Sequence, residues 1–202
     1  MRTVKMLCLI AMICSAGLTS GEQKKPPVQG HPGANVTPRQ AERNKVPVRQ
    51  LYEEMFSHGR YELQNQVFAS RCPVHFGGRN VRLEGAVAEG KGWRSAAPDL
   101  RMTINEITVK GDMVTAVWTA TGTHTGHGHG LKPTGRRISL HGRSQFRVAN
   151  GKIVEAWNEE YRDELFKQLG VPKPIAMLFE AADNLVSAMS WALPDRLYYA
   201  FR

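Results

Sequence analysis

A chain of 202 residues has room for one globular core with appendages, and two full domains would be crowded. Its formal net charge of +9 raises nucleic acid or an anionic surface as a partner. The basic residues, however, sit in a terminal linker (Lys24, Lys25, Arg39, Arg43, Lys45) or are spread along one strand (Arg136, Arg137, Arg143, Arg147), with no interleaved aromatics, which argues against nucleic acid.

Residues 1–21 have the layout of a signal peptide. Arg2 and Lys5 form a basic start, Leu7 to Leu18 is apolar, and small residues follow at Ser15, Ala16, Gly17 and Ser20. The apolar run is shorter than the roughly 20 residues that cross a bilayer, so the expectation is cleavage and a secreted or periplasmic protein, not an anchored one. Cys8 and Cys14 leave with this segment. Cys72 is then the sole cysteine, no internal disulfide can form, and burial is its expected state. Residues 22–44, rich in Pro, Gly, Gln and charge, lack apolar periodicity and read as a disordered linker.

From Pro47 the pattern changes. Val48, Leu51, Tyr52, Met55 and Phe56 fall at helical spacing, with Pro47 suited to a first turn and Gly59 to a stop. Leu63 to Phe68 predicts a second helix, Cys72 to Phe76 an extended segment, and Glu84 to Ala97 a third helix weakened by Gly85, Gly90 and Gly92. The period then switches to two. Met102 to Lys110, Met113 to Thr121, Arg136 to Val148 and Lys152 to Asn158 predict strands, separated by Gly111-Asp112, by the glycine-rich stretch 122–135 and by Asn150-Gly151, a strong hairpin signal. Helices followed by an antiparallel meander imply an α+β fold, the sheet curling around helix one. Residues 171–202 form a C-terminal extension that predicts an amphipathic helix with Ile175, Leu178, Phe179, Ala182, Leu185, Val186 and Met189 on one face.

Several strings stand in a telling order: Pro98-Asp99-Leu100, Gly111-Asp112, Trp118-Thr119-Ala120-Thr121-Gly122-Thr123-His124-Thr125-Gly126, Pro133-Thr134-Gly135-Arg136-Arg137, Phe146-Arg147, Asn150 to Trp157 (NGKIVEAW), and Gln168-Leu169-Gly170. Over about residues 46–170 the chain resembles the SnoaL-like polyketide cyclase (ester cyclase) family of the nuclear-transport-factor-2-like superfamily. The resemblance implies a cone, in which a strongly curved antiparallel sheet wraps N-terminal helices around a buried pocket. It also implies an apolar carbonyl substrate, no metal or cofactor, an acid/base aspartate on the last strand and an assisting histidine on the strand before it. In this chain the aspartate position is Asn158 and the histidine position is Ser144. Both departures remove proton-transfer chemistry, while an amide and a hydroxyl can still orient a carbonyl. The parity of the strands agrees with pocket-facing positions. Ile138, Leu140, Ser144 and Phe146 share one face, and Val154, Ala156 and Asn158 share another. Satisfying backbone groups in a core is the plainer role for the two polar residues.

His75 matches a position where the family often has a pocket histidine and is the first candidate for a remaining base. His124, His127 and His129 invite a metal reading, but His124 belongs to the recurring Gly-Thr-His-Thr-Gly string, so no metal is expected. Glu159, Glu160, Asp163 and Glu164 read as a solvated turn. The sequence therefore supports three roles: a cofactor-independent cyclase or isomerase acting on a small apolar carbonyl compound, a non-catalytic binding module for a lipid-like or aromatic ligand, and an interaction protein. A homodimer and a membrane-surface contact through the terminal helix remain open as partners.

Overall fold

The computed structural model describes residues 36–76, 79–128, 131–159, 162–178 and 181. The stretch read as a signal peptide, most of the expected linker and most of the terminal extension lie outside the described residues.

Helix α1, Pro38–Arg49, starts inside the stretch expected to be a disordered linker. The reason is local and legible. Thr37 is the N-cap, its Oγ1 accepts the backbone N–H of Gln40 at 3.2 Å, and Pro38 takes the first turn, where a missing N–H costs nothing. Asn44 is buried, accepting from Gln40 Nε2 at 2.8 Å and donating to the Gly111 carbonyl at 3.4 Å, which ties the helix to the β-hairpin beyond it. Pro47 consequently lies within the helix and not at its first turn. Beyond it the helix continues as a π-helical segment, Gln50–Phe56, which carries Leu51, Tyr52, Met55 and Phe56. A 3-10 turn at Tyr61–Leu63 leads into α2, Gln64–Val67. Strands β1, Val74–Phe76, and β2, Arg79–Val81, precede α3, Leu83–Ala96.

The four expected long strands follow: β3, Arg101–Lys110; β4, Met113–Thr123; β5, Arg137–Ala149; and β6, Lys152–Asn158. Asn150 (φ 52°) and Gly151 (φ 74°) adopt the left-handed conformations that a tight hairpin between twisted strands requires. The six strands lie in the order β2-β1-β6-β5-β4-β3 in one curved, unclosed sheet. The meander occupies β3 to β6, and β1 joins β6 in a parallel pairing, with Val74 opposite Ala156 and Phe76 opposite Asn158. Inward positions on β4 (Val114, Ala116, Trp118, Ala120) and β5 (Phe146, Val148) pack against Val48, Leu51, Tyr52 and Met55. The fold is thus the α+β cone expected from the sequence.

Two bulges alter the strand parity. The β3–β4 register shifts between Ile104 and Glu106, and the β5–β6 register shifts between Ile153, opposite Val148, and Glu155, opposite Arg147. Val154 is the extra residue of the second bulge, so Ile153, fully buried, replaces it on the inner face with Ala156 and Asn158.

Helix α4, Arg162–Leu169, covers the end of β5. Leu165 and Leu169 pack on Ile138, and the Gln168 side chain pairs with one residue of β5 in both directions. Its Oε1 accepts the Ser139 N–H at 2.8 Å, and its Nε2 donates to the Ser139 carbonyl at 2.9 Å. Of the terminal extension, residues 173–178 are helical. Ala176 is buried, whereas Ile175, Met177 and Leu178 are 45, 60 and 69% exposed.

Candidate functional site

Between the helices and the concave face of the sheet lies a cavity of about 210 Å³. The π-helical segment supplies one wall with Leu51, Tyr52, Met55 and Phe56; α3 supplies a second with Leu83, Ala86, Val87, Gly90 and Trp93. Trp118, Ala120, Ile138, Leu140, Phe146 and Ala156 form the sheet wall. Aromatic edges set the base: the Tyr52 ring centroid is 6.0 Å from that of Phe146 at 76° and 6.2 Å from that of Trp118. Gly90 admits Phe56 to the helix surface, since a Cβ there would stand 2.5 Å from Phe56 Cε1.

Among the described residues the ionisable or amide-bearing side chains of the lining are few. Asn158 ends β6, Glu159 follows it, and Glu89 lies on α3, with the phenol of Tyr52 in the aromatic wall. No histidine, lysine, arginine, aspartate or cysteine belongs to the described lining. Such a site can desolvate an apolar ligand and hold a polar atom at one place. An engineered dry cavity of about 150 Å³ takes up benzene, so a space of this volume suits a body of one or two rings.

Asn158, the position implied for the acid/base aspartate, lines the cavity between β5 and β1, opposite Ser144 on one side and Phe76 on the other. Ser144 adjoins it in register but is not part of the lining. It is 1% exposed, and its Oγ accepts the Trp118 indole N–H at 3.0 Å. Its polar group therefore holds the cavity wall in place from behind.

The expectation that His75 sits at the pocket is corrected by strand alternation. Val74 and Phe76 line the cavity, so His75 between them projects from the opposite face of the sheet. There its Nδ1 is 2.6 Å from Asn80 Oδ1, its Nε2 is 3.1 Å from Glu155 Oε1, and its ring stacks on Trp157 at 5.4 Å. Arg147 completes this outer cluster, 3.2 Å from Glu155.

His124 is buried, with Nδ1 3.1 Å from Thr134 Oγ1, and burial holds its imidazole below the usual histidine range. Its backbone accepts the N–H groups of Thr134 and Gly135, so it organises the loop between β4 and β5. His129 lies outside the described residues. No group of three or more His, Cys, Asp or Glu comes together among the described residues.

Glu89 is the lining residue that sequence reasoning missed. Its signal is helical spacing: Leu83, Ala86, Val87, Gly90 and Trp93 form one face of α3, and Glu89 flanks it. Glu159, read as part of a solvated turn, is exposed and also borders the cavity.

Residues 46–169 match the family model for SnoaL-like polyketide cyclase. The chain is similar to the solved structure of AclR, a proposed hydroxylase of Streptomyces galilaeus, at 25% identity and a TM-score of 0.59, covering 65% of this chain and 99% of that one. It is similar to IdmH, a proposed polyketide cyclase of Streptomyces antibioticus, at 28% identity and a TM-score of 0.56, covering 63% and 99%. A proposed SnoaL-like polyketide cyclase from a Jannaschia species shares the fold at 21% identity, with a TM-score of 0.60 over 69% and 99%. Comparison with curated proteins gives no match.

Proposed function

Because the chain belongs to the SnoaL-like polyketide cyclase family, we propose that its cavity takes up a small apolar carbonyl compound, of one or two rings, for cofactor-independent cyclase or isomerase chemistry. The observation that carries this reading is the position of Asn158. Its amide stands at the cavity in a lining that is otherwise mostly apolar. The side-chain N–H groups can donate to a carbonyl oxygen and strengthen that bond as the oxygen gains negative charge. Trp118, held by Ser144, and Phe146 supply rigid apolar walls that fix the ring plane.

The test is to titrate the protein with cyclic β-keto esters and enones, reading quenching of Trp93 and Trp118, and to follow deuterium uptake into each compound. Saturable binding with uptake above the buffer rate supports the reading, provided Asn158→Ala weakens both. Absence of binding across the panel sinks it.

A second reading, a binding module without catalysis, is favoured by Asn158 itself, since an amide cannot take up a carbon-bound proton. Binding without deuterium uptake would select it. Export belongs to the same proposal and rests on the layout of residues 1–21. The mass of the protein recovered outside the cytoplasm of an expressing bacterium tests it, and a full-length mass would count against cleavage.

A further inference from the structure

Proton transfer in this cavity needs a group that the implied site no longer supplies. Asn158 stands where the aspartate is implied, Ser144 is occupied by the Trp118 indole, and His75 projects from the other face of the sheet. What remains among the described lining is Glu89, Glu159 and the Tyr52 phenol. We infer that Glu89 is the general base of this site and that catalysis has moved from the sheet wall, at Asn158, to the helix wall, on α3. This rests on the proposed cyclase or isomerase reading.

Three observations separate Glu89 from the other two groups. It is half-buried, whereas Glu159 is exposed, so its carboxylate is held within the structure beside the cavity and not at the solvent-facing end of a strand. It flanks the cavity face of α3, the layer facing the sheet that carries Asn158, so a planar carbonyl compound lying between them meets the amide and the carboxylate from different walls. Tyr52, only 2% exposed, is packed among Phe56, Trp118 and Phe146, and a tyrosine phenol ordinarily keeps its proton near neutral pH and is a poor base there.

The step balances without a co-reactant. The Glu89 carboxylate takes a proton from the carbon next to the carbonyl and becomes a carboxylic acid. The electron pair of the broken C–H bond becomes the C–C π bond of an enolate, and the carbonyl π pair moves to the oxygen, where Asn158 N–H groups hold the charge. The enolate carbon then attacks a second carbonyl of the same molecule, closing a ring, or takes a proton back from Glu89. In both cases the Glu89 proton is returned, to the new alkoxide or to carbon.

The experiment uses the full chain and ethyl 2-oxocyclopentanecarboxylate as the carbon-acid probe, with deuterium uptake at the ring CH2 beside the ketone as the rate and Trp quenching as a separate measure of binding. Glu89→Gln should lower the protein-dependent uptake by about 10²- to 10⁴-fold, keep binding within a few-fold, and abolish the fall in rate at low pH that protonation of the base gives the parent. Glu106→Gln, on an exposed position of β3, serves as the control with parental rates. Retained uptake in Glu89→Gln overturns the assignment, as does a loss in Glu159→Gln or Tyr52→Phe that exceeds the loss in Glu89→Gln. Parent protein that quenches with the probe but gives no uptake overturns the cyclase reading itself, and with it the base.

Discussion

Trp118 and Gly142 face each other across the β4–β5 pair, and the indole lies so close over the glycine that a Cβ at position 142 would stand 2.2 Å from Trp118 Cζ2. The ring cannot swing aside freely, because its N–H is bonded to Ser144 one inward position further along the same strand.

Gly142→Ala should therefore force a clash with a pinned ring, destabilising the protein by about 1–3 kcal/mol. Ser144→Ala should cost about 1–3 kcal/mol by a different route, leaving a buried indole N–H without that acceptor. Urea unfolding midpoints check both. In the double variant the ring is free to move, so the two costs should sum to more than the measured total. Strict additivity would show that the bond does not hold the ring.

Replacing Asn158 by Asp conserves size but converts a donor into a group that donates only when protonated. Burial raises a carboxyl pKa, so the variant should bind a carbonyl probe well at low pH and lose at least about tenfold in affinity as the carboxyl ionises. Trp quenching titrations from pH 4 to 8 read this. Parental, pH-independent affinity in the variant would remove Asn158 from the carbonyl site.

The Gln168 amide substitutes for a neighbouring strand at Ser139, and Gln168→Ala removes both bonds at once. The expected cost is about 1–2 kcal/mol, modest because the pair is exposed. Faster hydrogen exchange at the Ser139 amide and at α4, with the Phe146 region unchanged, is the signature. Loss of protection throughout the sheet would show that α4 is integral to the core.

Cys72 is buried, and burial pushes its thiol up from 9.0 to about 12, with the nearby negative charge of Glu155 acting in the same direction. Between these values the unfolded chain loses the thiol proton and the folded chain keeps it. The stability this residue contributes is complete below pH 9 and falls as pH rises, by up to about 1.4 kcal/mol per unit. Cys72→Ala should flatten the alkaline limb of the stability profile relative to the parent. Equal slopes in the two proteins would contradict burial of the thiol.

The strands and their turns were legible because alternation is strict over β4 and Asn150-Gly151 fixes the hairpin register. The cavity-facing position of Asn158 was also legible, because strand parity sets it on the same face as Ala156. What escaped reading has local causes. The helix start at Pro38 was signalled by Thr37 and Gln40, spaced as a capping box, yet was masked by the polar composition around it. Val154 took the wrong face because a bulge is invisible in a two-residue period. His75 was assigned to the pocket by position in a motif, whereas its side was decided by Val74 and Phe76. Glu89 was passed over because helical spacing sets it only at the flank of the apolar face of α3, where the pattern of apolar residues draws no attention to a carboxylate.

The parallel pairing of β1 with β6 has a kinetic consequence. Val74 and Ala156 belong to the same cavity wall but are far apart in the chain, so closing that wall requires a long loop, whereas the hairpins of the meander close short ones. The β3–β4–β5 hairpins can zip locally and early, while the seam beside Asn158 must form late. A nascent chain that has reached residue 149 holds the concave apolar face without its closing edge, and in that interval it is most open to aggregation. In pulse-labelled refolding the amides of β4 should be protected before that of Ala156, which donates across the seam to Pro73.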